Sequence, residues 1–195
     1  MGLNKVKLAV FISGRGSNML SIIEACKLND FPASISVVLT NVPNAGGITI
    51  AQEHDIPTEI VNHNDFNQRE QFEASIQECL NNYDVDLIVL AGFMRILTES
   101  FIKRWPNKII NIHPSLLPEY KGLNTHQRAL NDGKTESGCT VHYVNADLDS
   151  GPTICQIHVP ITKTDTPETL AARILVQEHK IYPEAIRLIA NSYIK

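Results

Sequence analysis

No stretch of this 195-residue chain is apolar for long enough to span a bilayer. The first residues, Met1 to Lys7, lack the apolar core of a secretory signal, and the expected location is cytoplasmic. Four cysteines, Cys26, Cys79, Cys139 and Cys155, show no Cys-x-x-Cys spacing. That argues against a zinc site and against a secreted disulfide framework, so no metal is expected and the thiols read as small buried residues. Neither sign of charge dominates: the net charge is −4, with acidic and basic residues interspersed. A basic face for nucleic acid or for an anionic membrane is therefore not expected, and any anion must be held locally. Internal repeats and low-complexity segments are also missing. With 43% hydrophobic and 19% charged residues, the chain is expected to be one domain spanning 1–195 around one core.

Two nucleotide signatures are incomplete. Val6 to Ile12 is an apolar run, Ser13-Gly-Arg-Gly-Ser-Asn18 follows it, and a helical pattern starts at Met19, Ile22, Ile23 and Cys26. This is a strand, a glycine loop and a helix, in which Ser17 and Asn18 are expected to cap the helix and donate to an anion at its positive end. Met19 replaces the third glycine of a dinucleotide fingerprint, and no Gly-Lys-Ser/Thr follows. The second apolar strand, Ile35 to Leu39, ends in Thr40-Asn41 rather than in an acid that would hold an adenosine ribose. A phosphate monoester fits better than NAD or ATP, although a glycine turn without a ligand would read the same way.

Pro43 to about His54 begins a second helical segment, Pro57 to Val61 a third strand, and Asn67 to Asn82 a surface helix with Arg69 near its start. Asp86 to Leu90 is a central strand followed by Ala91-Gly-Phe-Met-Arg-Ile-Leu97, whose main chain could line a pocket at the strand's end. Taken alone, Met94, Ile96 and Leu97 read as core. A helix from Thr98 or Ser100 ends before Pro106.

Lys108 to Pro118 holds the densest chemistry. Strand alternation sets Ile109, Asn111 and His113 on one face and Ile110 and Ile112 on the other. Pro114 ends the strand and biases His113 to an extended backbone, projecting the imidazole past the sheet edge. An amide donor beside an imidazole suits oxyanion stabilisation and proton transfer; a hydrogen-bonded core histidine at a turn would leave the same pattern. After a helix from about Asn124 to Asn131, Cys139 to Asn145 and Thr153 to Val159 read as an antiparallel pair joined by Ala146 to Pro152. Asp149 in that loop is either a turn former or a carboxylate set against His113, where it would raise the pKa and favour the charged ring. A helix begins at about Thr166 to Pro167, and Pro183 is expected to start a further helical piece. Glu178 reads as exposed charge or as a carboxylate aimed at the pocket.

The five blocks Ser13–Asn18, Ala91–Leu97, Asn111–Pro118, Leu148–Pro152 and Gln177–Pro183, in this order over nearly the whole chain, resemble the phosphoribosylglycinamide formyltransferases of the folate-dependent formyltransferase family. The resemblance implies an α/β fold: a Rossmann-like, mostly parallel sheet with helices on both faces and an antiparallel strand addition in the C-terminal part. It implies Asn111, His113 and Asp149 as the catalytic trio, and Gly14, Arg15, Gly16, Ser17 and Asn18 around the ribose phosphate of glycinamide ribonucleotide. Glu178 would meet that substrate's glycinamide portion. Arg69, Met94, Arg95, Ile96, Leu97, Asn111, Asn145 and Asp149 would bind 10-formyltetrahydrofolate, a co-substrate, with no metal. The expected partners are these two small molecules, without nucleic acid or membrane, in a monomer or weak homodimer. Arg15 stands where the family often has a smaller or neutral residue, Ser150 where Gly or Ala is common, and few residues follow Tyr193. A formyltetrahydrofolate hydrolase using the same trio, and a noncatalytic folate or nucleotide binding module, are the competing readings.

Overall fold

A computed structural model describes residues 5–193; Met1 to Asn4, which carry part of the N-terminal reading, and Ile194 and Lys195 lie outside the described residues. The strands are β1 (Val6–Ile12), β2 (Ala33–Thr40), β3 (Thr58–Ile60), β4 (Leu87–Leu90), β5 (Ile109–His113), β6 (Glu136–Tyr143) and β7 (Thr153–Pro160). The helices are α1 (Ser17–Cys26), α2 (Gly47–Gln52), α3 (Arg69–Leu80), α4 (Glu99–Arg104), α5 (Thr125–Asn131) and α6 (Pro167–Tyr193). All strands join one sheet in the order β3-β2-β1-β4-β5-β6-β7. The first five run parallel, and β6 and β7 are added antiparallel, as expected.

The apolar runs Leu8–Ile12 of β1 and Leu87–Leu90 of β4 are continuous because both faces of the sheet are covered. Leu8, Val10 and Ile12 pack with Met19, Ile22 and Ile23 of α1 and with Ile174, Ile186 and Ile189 of α6. Ala9 and Phe11 point the other way, toward Phe72, Ile76 and Leu80 of α3 and Phe101 of α4. Strand order reverses between β1 and β4, and in such sheets the crevice at the carboxyl ends of the reversing strands receives ligands.

The expectation of a separate helical piece at Pro183 is corrected: α6 runs unbroken through it. An internal proline removes one helix hydrogen bond and costs about 3 kcal/mol. Burial of Tyr182, Pro183, Ala185 and Ile186 offsets that loss. The Tyr182 hydroxyl donates to the carbonyls of Leu90 (2.8 Å) and Ile110 (3.3 Å), which fixes α6 against β4 and β5. Although α6 is 27 residues long, no described helix is both long and apolar enough to cross a membrane.

Candidate active site

β5 delivers Asn111 and His113 to its carboxyl end while Ile110 and Ile112 anchor the strand in the core under α6. The antiparallel partner β6 sets His142 opposite Asn111 and Thr140 opposite His113. From the β6–β7 loop comes Asp149, in the left-handed region at φ 47°. Its Oδ2 lies 3.4 Å from His113 Nδ1 and its Oδ1 3.7 Å from His142 Nε2. The Gly122 amide donates to Oδ2 at 2.9 Å. The side chains of His113, His142 and Asp149 retain only 7%, 2% and 8% of their exposure, so solvent screens these charges weakly. Asn111, His113 and Asp149, up to 38 positions apart in the sequence, thus converge. Past the edge of the sheet the imidazole of His113 is buried, because the loops at Tyr120–Gly122 and Asp149 close over it.

The direction in which the site titrates corrects a second expectation. Burial pushes the His113 pKa below the usual histidine value, against the Tyr120 carbonyl and the Asp149 charge, which pull it up. Proximity to Asp149 therefore does not make His113 a preformed cation. Its Nε2 is 2.9 Å from the Tyr120 carbonyl and donates to it, which leaves Nδ1 as the nitrogen toward Asp149. For Asp149 burial opposes ionisation, but the close approach of His142, the Gly122 amide and the histidine charges outweigh it and hold the carboxyl below the ordinary aspartate value. His142 Nδ1 donates to the Tyr143 carbonyl at 2.9 Å. Its Nε2, 3.3 Å from Asn111 Nδ2, accepts from that amide when the ring is neutral.

Gly151 sets the return of the Asp149 loop. A Cβ there would lie 1.8 Å from the Tyr143 carbonyl oxygen. Gly151→Ala is expected to lower stability by about 1–3 kcal/mol, read as a shift in the denaturant midpoint. Activity is expected to fall with it, because the collision displaces the loop that holds Asp149.

The glycine loop crosses from β1 to α1. Gly16 has φ +77°, and a Cβ on it would sit 2.9 Å from Gly47 Cα, so a side chain is excluded twice. Contrary to expectation, neither Ser17 nor Asn18 caps α1: the N-cap is Gly16, with no side-chain capping bond. The first turn's amides remain available to an anion. Asn18 Nδ2 donates instead to Glu178 Oε2 at 2.7 Å, joining α1 to α6. Glu178 is 7% exposed, so the surface-charge reading does not hold. Burial raises its pKa, with the Asn18 bond pulling the other way. Asn18 Oδ1 is buried without a hydrogen-bond partner, an acceptor suited to an N–H or O–H of a substrate. Arg15 is exposed beside the loop.

The segment after β4 splits the core reading made of it. Leu97 is buried, but Met94 and Ile96 are 70% and 55% exposed. Arg95 and Arg69 are exposed, Arg69 as the first residue of α3. One turn along α3, buried Glu73 accepts from the Thr98 amide (2.6 Å) and from the Thr98 hydroxyl, which ties the helix to this segment. Asn145, before the Asp149 loop, keeps a buried Oδ1 without a partner. Two clefts of about 690 and 400 Å³ lie elsewhere, beside Lys5, Lys7 and Asp86 and beside Gln77, Arg104 and Trp105. Neither touches the trio, so the candidate site rests on its chemistry rather than on cavity size.

Sequence reasoning missed His142, the Tyr120 carbonyl and the Gly122 amide. It also missed His126, whose buried Nδ1 is unpartnered and whose pKa is lowered by burial and then by the charge of His113. Alternation along β6 could have flagged His142 as sharing a face with Thr140, but not what it faced.

A glycine loop and a buried amide–imidazole–carboxylate set on an open α/β sheet are the frame of a group-transfer enzyme. The chain belongs to the formyl transferase family, which it matches over residues 6–186. It is 45% identical to the phosphoribosylglycinamide formyltransferase of Haemophilus influenzae, over 93% of this chain and 85% of that protein. The solved structure of the phosphoribosylglycinamide formyltransferase from Coxiella burnetii has a TM-score of 0.92 and 48% identity, covering 96% of this chain and 88% of that one. The trifunctional purine biosynthetic protein adenosine-3 of Bos taurus is 42% identical over 98% of this chain, which spans only 19% of that relative.

Proposed function

We propose that this formyltransferase moves the formyl group of 10-formyltetrahydrofolate to the primary amine of glycinamide ribonucleotide. The observation that carries the residue assignment is the buried meeting of Asn111, His113 and Asp149, with His113 Nδ1 3.4 Å from the carboxylate. The amine attacks the formyl carbon, and the carbonyl electron pair moves to oxygen. Asn111, turned by its contact with His142, donates an amide N–H to that oxyanion. The proton shed by the attacking nitrogen goes to His113, which the lowered pKa keeps neutral and receptive. The imidazolium so formed gains Asp149 as its counter-charge. The oxyanion pair then re-forms the carbonyl as the bond from the formyl carbon to the folate nitrogen breaks, and the His113 imidazolium returns its proton to that nitrogen, which completes transfer without an acyl-enzyme.

Gly14, Arg15, Gly16, Ser17 and Asn18 hold the ribose phosphate in this reading, and Glu178 with Asn18 takes the glycinamide portion. Arg69, Met94 to Leu97, Asn145 and the Asp149 loop take the folate. These groups come from strands, helices and loops around one sheet, which supports a single domain, as a monomer or weak homodimer; four free cysteines among the described residues fit a cytoplasmic setting. The direct test follows 10-formyltetrahydrofolate consumption by absorbance with and without glycinamide ribonucleotide. Turnover only with the amine is expected; formate release without it would make water the acceptor. Ser17→Ala combined with Asn18→Ala is expected to raise the KM for glycinamide ribonucleotide by about tenfold, two hydrogen bonds' worth, with a smaller change in kcat. An unchanged KM would mean that neither side chain contacts this substrate.

A further inference from the structure

Ser13 precedes the glycine loop and has no role in the reaction as described. Its amide donates to the Gly92 carbonyl at 3.1 Å, and its Oγ accepts the Met94 amide at 2.7 Å. The hydroxyl's one proton then goes to Asn41 Oδ1, at 2.5 Å. Asn41 is 2% exposed and lies just past β2, with its Nδ2 3.1 Å from His63 Nδ1. His63 Nδ1 also lies 2.9 Å from the Asn41 backbone carbonyl, so the residue that partners Ser13 is itself held at both its side chain and its main chain. Phe93, between the two bonds to Ser13, is buried against Phe11 with ring centroids 5.3 Å apart. The hydroxyl thus grips the chain where it leaves buried Phe93 for exposed Met94. Gly14 follows on one side of the grip and the Met94–Leu97 segment on the other, across the point where strand order reverses.

We propose that Ser13 is a positioning residue that couples the two substrate sites, so that ordering of either loop by its own substrate lowers the cost of ordering the other. The proposal rests on the assignment of Gly14–Asn18 to phosphate and Met94–Leu97 to folate. Coupling between two bound ligands is reciprocal: each tightens the other by the same factor. The test uses glycinamide ribonucleotide with tetrahydrofolate, a pair that carries no formyl group and cannot react. Calorimetric titration of each with and without the other is expected to give a coupling factor of about five or more in the unaltered chain. In Ser13→Ala it is expected to fall to about one, with single-ligand affinities changed by less than about tenfold. Ser13→Thr, which keeps the hydroxyl, is expected to retain the coupling. Asn41→Ala removes the acceptor that orients the hydroxyl and is expected to weaken coupling even if Ser13→Ala does not fold. No coupling in the unaltered chain, or undiminished coupling in a folded Ser13→Ala or Asn41→Ala, overturns the proposal. Amide resonances separate this from failure of the site assignment: glycinamide ribonucleotide alone must shift Gly16, and tetrahydrofolate alone must shift Met94.

Discussion

His113→Ala is expected to lower kcat by about two to four orders of magnitude, the range for losing a positioned proton-transfer group, while affinity for glycinamide ribonucleotide stays within about threefold. The separation follows from geometry. The phosphate is assigned to the amides of α1's first turn, whereas His113 is tied to Tyr120 and faces Asp149. Burial sets His113 below the ordinary histidine value, so the free enzyme holds it neutral at physiological pH. The acid limb of kcat/KM is expected below that of free imidazole. Asp149→Asn removes one of the two influences that pull this pKa upward, so the limb moves lower still. Turnover also falls by orders of magnitude, because the imidazolium formed during transfer loses its counter-charge. An acid limb that moved upward in Asp149→Asn, or turnover comparable to the parent in either variant, would sink the assignment.

The same shifts fix a sign for stability. Asp149 titrates below its ordinary value when folded. Its contribution is therefore present above the unfolded aspartate value and is lost as pH falls through the lowered one. His113, also depressed, binds its proton first in the unfolded chain, so stability begins to fall as pH drops below the ordinary imidazole value. Both groups make acid unfavourable. Below the ordinary aspartate value, where the Asp149 contribution is lost, thermal unfolding is expected to show a shallower loss for Asp149→Asn than for the parent chain, whereas nearer neutrality the further-depressed His113 makes the variant's loss the steeper one.

The parts of this molecule that could be read in advance are those set by neighbours in sequence. Alternation in Ile109–His113 assigns faces correctly, because β5 is covered on both sides and Ile110 and Ile112 go to the core under α6. The glycine loop is legible because φ +77° at Gly16 and the close approach of Gly47 leave one residue type possible. Asp149 could be tied to His113 only through the family resemblance, since their meeting depends on the register of β5, β6 and β7. His142 was missed for the same reason: a strand's pattern shows which residues share a face, while non-local pairing decides what that face meets. The Tyr120 carbonyl was beyond reach, because a tyrosine does not announce φ 54°. The protonation of His113 was misjudged because Asp149 can be counted from sequence, whereas the burial that outweighs it exists only after packing. Pro183 failed likewise, a local rule overridden by the burial of Tyr182 and its neighbours.

Asn111→Ala is expected to cost about 10²–10³ in kcat, the loss that follows removal of one oxyanion donor. Affinity for glycinamide ribonucleotide is expected to change little, since the charge this amide meets exists only after attack, and the smaller contact of Asn111 with the folate is read separately as a rise in that substrate's KM. Asn111→Asp is a sharper probe: it preserves shape but turns a negative group toward the developing oxyanion, and is expected to be worse than alanine. The contact between Asn111 Nδ2 and His142 Nε2 at 3.3 Å adds a condition that a free-standing donor would not meet. If His142 acts by turning this amide, His142→Ala lowers kcat on its own, but adds little once Asn111 is already alanine. The two effects then sum to more than the double variant loses. His142 also approaches Asp149, so a residual additive part is expected and is read from the pH profile of the double variant. Full additivity across the cycle would mean that His142 serves Asp149 alone and that the strand pairing, not the imidazole, aims Asn111.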